Sequence, residues 1–204
     1  MEKLNIGINE RIPLTVLEMA LQATLNGQGT HEYFRQLLLA EGKGANRAVK
    51  SCCQIHRATV RNPLLPFLAE NKDATLNSLR SKSDRPLLMA ALLASAYSIV
   101  FDSISILGKL FHAQPQVTSQ FLRAKLGEKY GANNSVGVAI RAFAPMLDEA
   151  GFIARPDKGV YEMICQSKYS DFAKKVYRQV FLLYNPHLAE TGDFESYPFF
   201  EFIK

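Results

Sequence analysis

Four cations at regular spacing are the first residues in this chain whose types and positions fit a chemical task. In the segment KGANRAVKSCCQIHRATVRN, Arg47, Lys50, Gln54, Arg57 and Arg61 advance by three or four positions, with Lys43 just ahead of them. On an α-helix that spacing lines a single stripe, with Ala45, Val49, Cys52 and Val60 expected on the opposite side. No Asp or Glu occurs from position 42 through 69, so the cations repel one another. An anionic partner, phosphate above all, is the natural compensation; the alternative is a solvated charged face. His56 stands beside Arg57 without metal-ligand spacing and reads as a surface or half-buried histidine.

A second set of polar residues lies in 117–164. Thr118 caps an expected helix, SQFLRAKLGEKYG, and Gly131-Ala132-Asn133-Asn134 forms a turn. Ser135 then caps VGVAIRAFAPMLDEAG, which Gly151 ends as a C′ glycine. Phe152–Arg155 and Val160–Ile164, joined by Pro156-Asp157-Lys158-Gly159, read as a β-hairpin. Helix, turn, helix and hairpin is the order of a winged helix-turn-helix, and LDEAGFIARPDKGVYEM resembles the end of the second helix and the wing of that class. The resemblance implies Asn133, Asn134, Ser135 and Arg141 facing a DNA groove, with Arg155 and Lys158 on the wing holding phosphates. Two features pull the other way. Pro145 should kink or split the second helix, and residues 117–165 carry a net charge of only +1, from 6 Lys and Arg against 5 Asp and Glu. The alternative is a module of this shape used for packing or protein contact.

Signatures of catalysis are missing from the sequence: it has no GxGxxG, Walker, HExxH or GxSxG pattern and no paired-carboxylate signature. His31, His56, His112 and His187 are scattered. Cys52, Cys53 and Cys165 are odd in number and form no CxxC pair, which argues against a zinc site and a disulfide framework. The expectation is a protein that is not an enzyme, with no metal or cofactor, kept in a reducing, cytoplasmic compartment.

The elements that must position these residues are helical. The 204 residues are 48% apolar and 21% charged, enough for a sizeable core and too apolar for a disordered chain. Apolar spacing predicts helices over 14–25, 30–41, 45–61 and 72–82, a connecting turn at 66–69, and a helix over 170–184. Asp84, before Arg85-Pro86, reads as the N-cap of a central helix that is apolar nearly all round as far as Phe101 and continues to Phe111. Its uncharged run is shorter than the roughly 20 residues a membrane span requires, and no apolar leader opens the chain. Most of the net charge of +5 sits in residues 1–83, with 11 Lys and Arg against 7 Asp and Glu.

The order of these elements resembles a known family. A helical pair, the basic helix GKGANRAVKSCCQIHRATV, the apolar run LLMAALLASAYSIVFDSISIL and a helix-turn-helix ending LDEAGFI together look like the small A component of bacterial BREX phage-defence systems. That resemblance implies a helical body like the antitermination factor NusB, non-enzymatic binding of double-stranded DNA, and work beside other defence-system proteins. The combined expectation is a mainly α fold. A helical bundle over 1–116 packs as one body with a winged helix-turn-helix-like module over 117–204. The competing reading is an interaction or scaffold subunit whose aromatic tail (Tyr197, Phe199, Phe200, Phe202) docks a partner, although clustered aromatics more often strap onto their own core.

Overall fold

The structure is a computed structural model and describes residues 6–164, 168–190, 192 and 195–204. Cys165, one of the three cysteines, lies outside the described residues. The chain builds α1 (Leu14–Leu25), α2 (His31–Ala40), α3 (Ala45–Ala58), α4 (Leu65–Glu70), α5 (Lys72–Arg80), α6 (Arg85–Ala96) and α7 (Ser98–Phe111). It continues with β1 (Gln116–Thr118), α8 (Ser119–Tyr130), α9 (Asn134–Ala150), β2 (Ile153–Ala154), β3 (Val160–Met163) and α10 (Asp171–Tyr184). A 3₁₀ segment, Pro198–Ile203, closes the chain. The fold is therefore mainly helical, with one small antiparallel sheet in the order β1-β3-β2. No helix among the described residues is long and apolar enough to cross a membrane.

Helix α6 occupies the centre. Every residue from Pro86 to Ala96 is buried, because its sequence offers apolar or small side chains on all sides. It is not continuous with α7. Tyr97 leaves helical geometry (φ −133°, ψ 108°), so the single central helix expected over 85–111 is two. The break exposes the last carbonyls of α6, which need donors when buried. Tyr184 OH donates to Ala94 O and Arg57 Nε to Ala96 O, while Asn62 Nδ2 donates to Leu92 O one turn earlier. Burial pushes the Tyr184 phenol up to about 12. Tyr97 itself is fully buried, and its OH donates to Gln54 O at 2.8 Å.

Local departures from the expected elements have similar causes. Helix α3 stops at Ala58, short of position 61, where Thr59 Oγ1 turns back to Ile55 O and Asn62 Nδ2 caps Ala58 O. Residues 65–70 form the short helix α4 where a turn was expected. Asp84 makes no side-chain cap for α6; its Oδ1 accepts from Ser170 N at 2.8 Å, tying the start of α6 to the start of α10. On α10 the buried face is Ala173, Val176, Tyr177, Val180 and Phe181, which leaves Leu183 exposed.

The aromatic tail packs onto the chain's own core. Phe199, Phe200 and Phe202 are buried, while Tyr197 is exposed. Tyr177 stacks on Phe199 at 4.2 Å, its OH donating to Phe199 O, and Phe152 stacks on Phe202 at 4.5 Å. The tail crosses α7 at Gly108, where any Cβ would collide with the carbonyl oxygen of Pro198. Buried apolar residues form one cluster running from Ile8 to Phe202.

Candidate nucleic-acid interface

Two regions hold the residues singled out by the sequence. The first is built by α8, α9 and the hairpin. Strand β1, three residues with only Val117 buried, pairs with β3, setting Val117 opposite Tyr161. Strand β2 pairs with the other edge of β3, setting Ile153 opposite Met163. Helix α7, β1, α8, α9, β2 and β3 thus follow in the order and strand arrangement of a winged helix-turn-helix. Thr118 Oγ1 caps α8 by accepting from Phe121 N. Asn133, not Ser135, caps α9, its Oδ1 accepting from Ser135 N at 2.9 Å. That leaves the Asn133 amide nitrogen as a donor. Pro145 does not split the helix, which runs unbroken to Gly151. Only one intrahelical bond is lost at Pro145, and the buried side chains Phe143, Met146 and Leu147 around it hold α9 to the core.

Helix α9 is buried except along one edge. Asn133, Asn134, Ser135, Val138, Arg141, Pro145, Asp148 and Glu149 are exposed or half-buried, while Gly137, Ile140, Phe143 and Ala144 are buried. Three polar side chains thus open the helix, Arg141 stands in mid-edge, and Asp148 lies towards the far end. On the hairpin, Lys158 is exposed at the tip. Arg155 is half-buried, with Nη1 4.0 Å from Asp148 Oδ2. Its Nε is buried and has no hydrogen-bond partner among the described residues. The hairpin is held to α8 by Ser119 N donating to Gly159 O at 2.7 Å. A side chain at Gly159, where φ is +81°, would meet Ser119 Oγ. Between α8, α9 and the hairpin lies a cavity of about 570 Å³, whose lining includes Gln120, Arg123 and Tyr161 beside Arg141, Arg155 and Lys158. Sequence reasoning did not single out Arg123. It sits four residues into α8 with nothing in its local pattern to mark it, and only the packing of α8 on α9 brings it there.

The second region is α3, and here the expected single stripe is corrected. Arg47 and Lys50 are exposed, as is Val49 at 58%. The buried face is Ala48, Ser51, Cys52, Gln54, Ile55 and Ala58. Gln54, expected within the basic stripe, is buried, with Oε1 accepting from Asn9 N and Nε2 donating to Asn9 Oδ1. Arg57 is half-buried; besides its bond to Ala96 O, it lies 5.1 Å from the Tyr97 ring centre. Lys43 is likewise engaged, donating to Arg11 O at 2.8 Å and Ser51 Oγ at 3.1 Å, with Glu10 3.8 Å away. Burial holds its ammonium below the usual lysine range, with Arg47 and Arg11 pushing the same way. Arg61 is exposed but lies beyond the end of α3.

At the C-terminal end of α3, His31 and His56 stack at 4.4 Å beside Cys53, Arg57 and Arg61 around a cavity of about 520 Å³. Burial, with His31 and Arg61 adding to it, keeps His56 below the ordinary histidine range. No group of three metal-ligating side chains forms among the described residues. Comparison with protein-family models, curated proteins and solved structures finds no match to this chain.

Proposed function

We propose that this protein binds double-stranded DNA without catalysing a reaction on it. The observation that carries the reading is the assembly of α7, β1, α8, α9, β2 and β3, with strand order β1-β3-β2. It presents Asn133, Asn134, Ser135 and Arg141 along one exposed edge, with Lys158 at the hairpin tip beside it. Asn133 and Asn134 donate to base edges, and the cations of the hairpin and of the middle of α9 hold backbone phosphates. Arg47, Lys50 and Arg61 add a weaker, sequence-independent contact. Work beside a larger phage-defence assembly is part of the proposal and rests on the sequence resemblance. The competing scaffold reading is favoured by Pro145 and Asp148 on the same edge, but Phe199, Phe200 and Phe202 of its docking tail are already buried.

The test is fluorescence anisotropy of a labelled duplex titrated with the full chain over a range of salt. Binding is expected to weaken steeply, and Arg155→Ala/Lys158→Ala should remove about two phosphate contacts' worth of salt slope on any sequence. Absence of duplex binding by the folded protein at low salt overturns the reading.

A further inference from the structure

The cavity between α8, α9 and the hairpin concentrates charge in a way that folding does not require. Arg123 of α8, Arg141 of α9, and Arg155 and Lys158 of the hairpin converge on it, and no Asp or Glu is among the described residues that line it. Arg123, Arg141 and Lys158 have no hydrogen bond or ion pair among the described residues. Arg155 has only Asp148 at 4.0 Å, and its buried Nε is unpartnered among the described residues. Gly137 keeps the Arg123 guanidinium close to α9: a Cβ there would lie 3.3 Å from its Cζ. The first turn of α8, through Ser119 and Gln120, also lines the space, adding the positive end of a helix dipole. Four cations gathered with one carboxylate near Arg155 repel one another, and an anion bound among them reverses the sign of that interaction.

We propose that this cavity is a phosphate-binding site. A carboxylate would be balanced by one guanidinium; three guanidinium forks and an ammonium match the charge and the several oxygens of a phosphoryl group. The volume leaves room for the group that carries the phosphate, and Ile140, Ala144 and Tyr161 give it an apolar wall. The phosphate has two sources, the backbone of a duplex or a free phosphorylated small molecule. The first rests on the function proposed above and the second does not.

Isothermal titration of the full chain with pyrophosphate and with AMP, beside anisotropy on a duplex, separates the two. The variants are Arg123→Gln/Lys158→Gln and, as an independent probe, Arg141→Gln, each checked by its melting curve. If the small phosphates bind and the variants weaken them by about tenfold, the site takes a free ligand. If they do not bind but duplex affinity falls about tenfold in the variants, the site takes a backbone phosphate. Folded variants that match wild type in both titrations overturn the proposal. Unchanged duplex binding in that outcome leaves the DNA reading intact, whereas small-phosphate binding without duplex binding keeps the site and removes that reading.

Discussion

Arg57 shows how far a residue's role depends on what it faces. Its spacing places it with Arg47, Lys50 and Arg61, yet its guanidinium closes the end of α6 through Ala96 O and covers Tyr97. Arg57→Ala leaves that carbonyl without its donor and is expected to lower unfolding free energy by about 1–3 kcal/mol, measured by urea denaturation. Arg47→Glu/Lys50→Glu removes only exposed charge. Its stability should stay within about 0.5 kcal/mol of wild type while duplex affinity at low salt drops about tenfold or more. The opposite pattern, a stable Arg57 variant or an unfolded double variant, would refute this division. His56 supplies a pH dependence. Held below its ordinary value, it takes up a proton less readily when folded than when unfolded, so stability is present above about pH 6.5 and falls as pH drops through that range. The loss in urea midpoint between about pH 7.5 and 5.5 should shrink in His56→Gln. An equal loss in both proteins would assign the dependence to other groups.

Among elements, the tail and α7 depend on one another. Gly108 lets the Pro198 carbonyl approach the helix axis, seating Phe199 against Phe101 and Phe202 against Phe111 and Phe152. Gly108→Val therefore overpacks this crossing, and a loss of about 1–3 kcal/mol is expected by denaturant titration. Wild-type stability in that variant would mean the tail does not pack on α7 in solution. The hairpin depends on α8 in the same way, since Gly159 O accepts from Ser119 N and the missing side chain at Gly159 leaves room for Ser119 Oγ.

Across the whole molecule, stability rests on α6. The helices around it contribute apolar faces, while Arg57 and Tyr184 satisfy its last carbonyls and Asn62 bonds Leu92 O, so burial and hydrogen bonding converge on one element. Leu92 is fully buried there, and Leu92→Ala is expected to cost about 2–5 kcal/mol, the range set by how far the cavity can collapse. A variant as stable as the parent would remove α6 from the core.

The sequence by itself determined the mainly helical class, the helix-turn-helix with its hairpin, the all-round apolar centre and the self-packing of the aromatic tail. Each of these is written in local periodicity, caps, glycine stops or clustered apolar surface, which act within a few residues. Tertiary structure alone decided what those signals do not encode. The end of α3, the break at Tyr97 and the use of Asp84 depend on partners from Asn62, Arg57, Tyr184 and Ser170, distant in the chain or beyond the helix they end. Strand β1 forms only because β3 supplies its ladder. The candidate site divides the same way. Asn133, Asn134, Ser135, Arg141, Arg155 and Lys158 were legible from the order of elements, whereas Arg123 joins them, and Gln54, Lys43 and Arg57 turn inward, because side-chain direction is fixed by which elements pack together rather than by spacing along one helix.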